Sequence, residues 1–123
     1  MAAARYIVGD VEAAIAFYTR HLGFEVEMHP GPGFAALRRD DLRVLLNTPQ
    51  GPGGSTQPAT DGRVPAPGGW NRIQLEVDDL DAAIAALREA GAVFRTELAE
   101  GRGGRQILVD DPAGNCIELF EPS

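Results

Sequence analysis

Lysine is absent: all 11 basic residues of the 123-residue chain are arginine, which removes a Schiff-base nucleophile and a phosphate-loop lysine from consideration. Cys116 is the one cysteine, so neither an intrachain disulfide framework nor a cysteine-rich zinc site can form. The only serines, Ser55 and Ser123, lie in a Gly/Pro-rich segment and at the C-terminus, and the only histidines are His21 and His29, a poor inventory for a Ser-His-Asp triad. Apolar runs extend over a few residues at most and none follows a basic start. Neither a membrane span nor a secretory signal is read, and a cytoplasmic protein is expected. Positive charge is also scarce: a net charge of −7 repels a phosphate backbone and argues against nucleic acid as a partner. What is present, 44% hydrophobic and 24% charged residues, is the balance of one soluble globular domain.

A repeat organises that domain. Val8-Gly9-Asp10-Val11-Glu12-Ala13-Ala14-Ile15-Ala16 returns as Val77-Asp78-Asp79-Leu80-Asp81-Ala82-Ala83-Ile84-Ala85, with six identities in nine at an offset of 69. After each aspartate the apolar residues fall at helical spacing, Val11, Ala14, Ile15, Tyr18 and Leu22 in one copy and Leu80, Ala83, Ile84 and Leu87 in the other. Asp10 and Asp79 are placed to cap these helices, and Gly23 and Gly91 to end them in a left-handed turn.

A strand precedes each helix and three strand-like runs follow it: Glu25 to His29, Phe34 to Arg39 and Leu42 to Asn47, then Val93 to Leu98, Gln106 to Val109 and Cys116 to Phe120. The reading is an α+β fold of two tandem βαβββ modules, module one over 1–48 and module two over 70–123. Between them Pro49 to Gly69 holds five prolines and six glycines in 21 residues; it is read as a linker, too poor in apolar residues to pack, and as a possible lid. Alternation along the strands assigns faces. In Trp70 to Val77, Ile73, Leu75 and Val77 belong under the helix, leaving Trp70, Arg72, Gln74 and Glu76 on the uncovered face; Cys116, Glu118, Phe120, Gln106 and Leu108 join them. In module one the uncovered set is Ala3, Arg5 and Ile7 with Arg43, Leu45 and Asn47.

Tyr6-Ile7-Val8-Gly9-Asp10-Val11, Phe17-Tyr18, Leu22-Gly23-Phe24 and Asp111-Pro112-Ala113-Gly114-Asn115-Cys116-Ile117-Glu118-Leu119 closely resemble the vicinal oxygen chelate superfamily, which includes glyoxalase I, extradiol dioxygenases, fosfomycin-resistance enzymes and bleomycin-binding proteins. The resemblance spans nearly the whole chain apart from the linker. It implies mixed sheets that curl into a cup, pairing of the first and last strands of each module, and a homodimer. It also implies metal-ligand positions that fall on Ala3, Leu45, Arg72 and Glu118. Only Glu118 can ligate, whereas a divalent ion needs about three or four donors. The site is therefore expected to hold no metal and no cofactor.

The resemblance makes Arg72 and Glu118 neighbours, and an arginine in the old metal position would pair with the carboxylate and anchor an anionic or carbonyl-bearing ligand. Trp70, at the mouth of the cleft, offers a flat stacking surface; Phe34, Phe24 and Phe120 are further lining candidates, and Gln74, Gln106, Leu108 and Leu45 complete the binding set. His21 reads as a helix C-terminal cation, His29 as a loop residue, Cys116 as a small hydrophobe, and the glycine clusters and paired aspartates as turns and caps. The expected function is metal-independent binding of a polar, partly aromatic metabolite or antibiotic, of the glyoxalase/bleomycin-resistance type. Two alternatives stand beside it: a glyoxalase-like lyase or isomerase with Glu118 as general base and Arg72 stabilising an enolate, and a dimeric scaffold that binds nothing.

Overall fold

A computed structural model describes residues 2–49 and 54–123; Met1 and residues 50–53, with them Gly51 and Gly53 of the first glycine cluster, lie outside the described residues. Module one runs β1 (Ala3–Ile7), α1 (Val11–His21), β2 (Glu25–Gly31), β3 (Phe34–Arg39) and β4 (Leu42–Asn47), in sheet order β1-β4-β3-β2. Module two runs β5 (Ile73–Glu76), α2 (Leu80–Glu89), β6 (Val93–Phe94), β7 (Ala99–Glu100), β8 (Gly104–Asp110) and β9 (Cys116–Pro122), in order β5-β9-β8-β6 with β7 also on β8. In each the first strand pairs parallel with the last and the rest are antiparallel, giving an α+β fold of two mixed sheets that do not close into a barrel.

Local chemistry accounts for the repeat. The Asp10 carboxylate accepts from the Ala13 N–H at 3.2 Å and Asp79 from Ala82 at 3.0 Å, each satisfying a helix-start donor that would otherwise face only water. Past the helices, Gly23 (φ 74°) and Gly91 (φ 80°) adopt the left-handed turn that a side chain would resist. Val11, Ala14, Tyr18, Leu80 and Leu87 then face inward, and the helix-covered sides of both sheets share one core built around Leu37, Leu46, Ile107, Ile117 and Leu119. Module two's Phe94 and module one's Phe17 pack at its margin.

Three expectations need correcting. The strand expected from Trp70 begins only at Ile73, so Trp70 and Arg72 lie in the approach to β5 and not in its ladder. The run from Val93 to Leu98 keeps only the two-residue β6, and β7 starts beyond it at Ala99, because Thr96 Oγ1 takes the Leu108 N–H at 3.1 Å that a backbone carbonyl would accept in a continuous ladder. His29 lies within β2, not in a loop, and pairs with Glu12 at 3.2 Å; β2 tolerates Pro30 because it is an edge strand.

Besides the common core, hydrogen bonds rather than shared strands join the modules. Tyr18 Oη donates to Asp111 at 2.8 Å, Asn115 Nδ2 donates to the Ile7 carbonyl at 2.8 Å, and Tyr6 Oη donates to the Cys116 carbonyl while accepting the Ile73 N–H. Burial and the Asp111 charge raise the Tyr18 phenol far above its ordinary range, so this bond is a fixed O–H donor. Residues 54–69 of the connecting segment form no helix or strand and are mostly exposed, but Gly68 N–H donates to Asn115 Oδ1 at 2.9 Å, Arg95 donates to the Gly69 carbonyl at 2.5 Å, and Thr56 is buried. No helix among the described residues is long and apolar enough to cross a membrane.

Candidate functional site: two open sheet faces

Because the helix-covered sides meet in one core, the opposite side of each sheet looks away from it, and these two faces carry the polar side chains that no core contact explains. Register places them. On module two, Gln74 stands opposite Glu118, which stands opposite Leu108, and in the next row Phe120 stands opposite Gln106. On module one the matching row is Arg5, Leu45 and Ala36, followed by Ile7, Asn47 and Phe34. The offset of 69 that maps Ala3 onto Arg72 also maps Arg5 onto Gln74.

Glu118 is the centre of the module-two face. Its side chain is one-tenth exposed, its Oε1 accepts from Arg72 Nε at 3.0 Å and its Oε2 from Gln74 Nε2 at 2.5 Å. Both oxygens are thereby engaged, one by a cation and one by an amide, and the arginine donates a further bond to the Trp70 carbonyl at 3.3 Å. Trp70 itself is 65% exposed, with the Arg95 guanidinium 4.6 Å from its ring centroid. Arg95 is held in turn by Asp110 at 2.9 Å and by the Gly69 and Gly114 carbonyls, so the indole is fixed on one face and open on the other.

The module-one face is built differently. Arg43 donates to Glu27 at 2.8 Å and holds that carboxyl below the usual range, with Arg38 at 3.7 Å from the same group. The Arg5 guanidinium donates to Asn47 Oδ1, whose side chain is buried; among the described residues no carboxylate meets Arg5. Leu45, Phe34 and Ala36 supply the apolar ground between them.

Other candidates lie elsewhere. Phe24 is a core residue, edge-on to Tyr18 at 5.5 Å between centroids, and leaves the set of possible lining residues. Cys116 is fully buried and burial pushes its thiol up, which suits a small hydrophobe. Asp111 is more than a turn residue: besides Tyr18 it accepts from the Ala113 and Asn115 N–H groups and from Asn115 Nδ2. Sequence reasoning overlooked Arg5, Asn47 and Arg95 as site residues, although strand alternation had already put the first two on the uncovered face. A groove of about 310 Å³ between Phe17 and Arg20 of α1 and Ala92, Val93 and Pro112 of module two belongs to the seam between modules, away from both faces.

The positions that the fold family gives to metal ligands are occupied by a methyl group, an isobutyl group, a guanidinium and one carboxylate already bonded to that guanidinium. This donor set does not fit a divalent ion, and among the described residues no three His, Cys, Asp or Glu side chains come together.

The family model of the Glyoxalase/Bleomycin resistance protein/Dioxygenase superfamily matches residues 1–119. The chain belongs to this superfamily. Within it, the bleomycin resistance protein of Geobacillus stearothermophilus is 26% identical over 120 residues, covering 93% of this chain and 90% of that one. A superfamily member from Sphaerobacter thermophilus DSM 20745 is 32% identical with a TM-score of 0.72, over 97% of this chain and 94% of the other. TnmS3, an antibiotic-binding protein from Streptomyces sp. CB03234, is 29% identical with a TM-score of 0.70, over 98% and 93% of the two chains. These chains share the fold, and a shared fold does not by itself carry a shared function.

Proposed function

We propose that this superfamily member is a metal-independent binding protein that sequesters a polar, partly aromatic metabolite or antibiotic, acting as a homodimer in which a second copy covers the open sheet faces. One observation carries the reading: Arg72 stands at a metal-ligand position of the fold and donates to Glu118, the only carboxylate at those four positions. A guanidinium there supplies hydrogen bonds and charge without a metal, and the exposed indole of Trp70 beside it supplies a stacking surface. The ligand class is supported by the relatives, one a bleomycin resistance protein and one an antibiotic-binding protein. A reading as lyase or isomerase is less favoured, because both oxygens of its would-be general base already accept hydrogen bonds, from Arg72 and from Gln74.

Native mass spectrometry of the protein purified from its own source, before and after dialysis against a chelator, tests this. A dimer that keeps a small organic adduct after chelation is the expected result. A stoichiometric divalent ion whose removal releases the adduct would overturn the metal-independent reading.

A further inference from the structure

We infer that the anionic group of the ligand is received on the module-one face, by Arg5, and not by Arg72. This deepens the binding reading and rests on it. Arg5 lies within β1 opposite Leu45 and Arg72 just before β5 beside Glu118, and their charges are spent differently. Arg72 Nε lies 3.0 Å from a carboxylate that is itself nearly buried, so bringing a second anion to it means competing with Glu118. Among the described residues Arg5 has a neutral hydrogen-bond partner only, the buried Asn47 amide oxygen, which orients the guanidinium and leaves its other N–H donors available.

The surroundings point the same way. Register sets Arg43 and Arg38 opposite each other and Glu25 opposite Arg38, and Glu27 reaches in to Arg43, so the face has three arginines against two glutamates in a chain whose net charge is −7. Arg43 and Arg38 are both within ion-pair distance of Glu27, which leaves Arg5 as the one arginine of this face without a carboxylate among the described residues. Next to it Leu45, opposite in register, and Phe34, opposite Asn47, offer apolar surface to the body of a flat ligand. The arrangement suits a carboxylate, sulfonate or phosphate attached to an aromatic ring, taken up by a forked donor at one end and apolar contact at the other.

Naphthalene-2-sulfonate and its neutral counterpart naphthalene-2-sulfonamide separate charge from ring in a calorimetric titration. The wild-type dimer should prefer the sulfonate. Arg5→Gln should weaken sulfonate binding by about tenfold or more while changing sulfonamide binding less than about twofold, and Arg5→Lys should restore part of the preference. Arg72→Gln should leave the preference in place. Added salt should erode it in wild type and not in Arg5→Gln. An unchanged preference in Arg5→Gln, or its loss in Arg72→Gln, would overturn this inference and leave the binding reading standing. Failure of the wild type to bind either arene would overturn the binding reading, and this assignment with it.

Discussion

Removing one partner of the Arg72–Glu118 pair should hurt unequally, and the exposures say which way. The Glu118 side chain is 10% exposed and that of Arg72 31%. Arg72→Leu leaves a carboxylate with little access to water and only the Gln74 amide on it, so the loss should approach that of a broken buried pair, about 2–4 kcal/mol. Glu118→Leu leaves a guanidinium that can swing into solvent, and about 1–2 kcal/mol is expected. The double replacement sets two leucines side by side next to Leu108 and should cost about 1 kcal/mol or less, giving a coupling of about 2 kcal/mol or more. Urea denaturation of the four proteins at neutral pH measures all three values, provided the slopes agree. Simple additivity within about 0.5 kcal/mol, or a larger loss for Glu118→Leu than for Arg72→Leu, would refute the reasoning.

Three further outcomes follow from other parts of the molecule. Asp111→Ala strands four donors, including the buried Tyr18 hydroxyl, and should cost about 3–5 kcal/mol in the same urea assay, whereas Tyr18→Phe removes one bond and should cost about 1–2 kcal/mol. Arg95→Leu should shift the emission of Trp70, the single tryptophan, and speed amide exchange at Gly68, whose N–H is held by Asn115, because Arg95 ties both the indole and the adjoining Gly69 carbonyl; unchanged emission would mean that the stacking does not persist in solution. The Arg105 guanidinium and the Leu80 N–H hold the Glu121 carboxyl below its ordinary value of 4.5. Its folded value being the lower one, the stabilisation is complete above about pH 4.5 and fades as pH falls through the folded value. Arg105→Leu should therefore destabilise at pH 7 and lose less on acidification below pH 4.5 than wild type does; parallel pH profiles would count against it.

What could be read from the sequence was local. An aspartate followed by apolar residues at helical spacing and closed by a glycine specifies a capped helix wherever it occurs, and a second copy 69 residues on makes the duplication plain. Alternation assigns Val44, Leu46, Leu75, Ile107, Val109, Ile117 and Leu119 to the inner sides of β4, β5, β8 and β9, and these are the residues of those strands that join the shared core. The departures all come from contacts between distant residues. Nothing near Val93 announces that Thr96 will replace a backbone acceptor for Leu108, and an Asp-Pro-Ala-Gly-Asn turn looks the same whether or not Asp111 receives a phenol from 93 residues away. Arg95 reads as one charge in a polar run, yet its guanidinium donates to Asp110 and to the Gly69 and Gly114 carbonyls, drawn from both sides of its position in the chain.

The same duplication explains why two related faces came to differ. Leu45 and Glu118 hold matching positions, as do Ala3 and Arg72, and Arg5 and Gln74, so three changes of side chain separate a face whose arginine is neutralised from one whose arginine is not. Leucine there does two things at once: it withholds an oxygen donor, and it leaves Arg5, directly opposite in register, without a carboxylate. Leu45→Glu reverses both. The introduced carboxylate would stand opposite Arg5 as Glu118 stands opposite Gln74, close enough to take the guanidinium as Glu118 takes Arg72. Leu45 is part-exposed, so the change should be tolerated by the fold at a cost of about 1 kcal/mol. Sulfonate affinity should then fall to that of the sulfonamide, by the same tenfold or so as in Arg5→Gln, and adding Arg5→Gln to Leu45→Glu should reduce it little further. A variant that folds and still prefers the anion would show that the charge of Arg5 is not what the ligand meets.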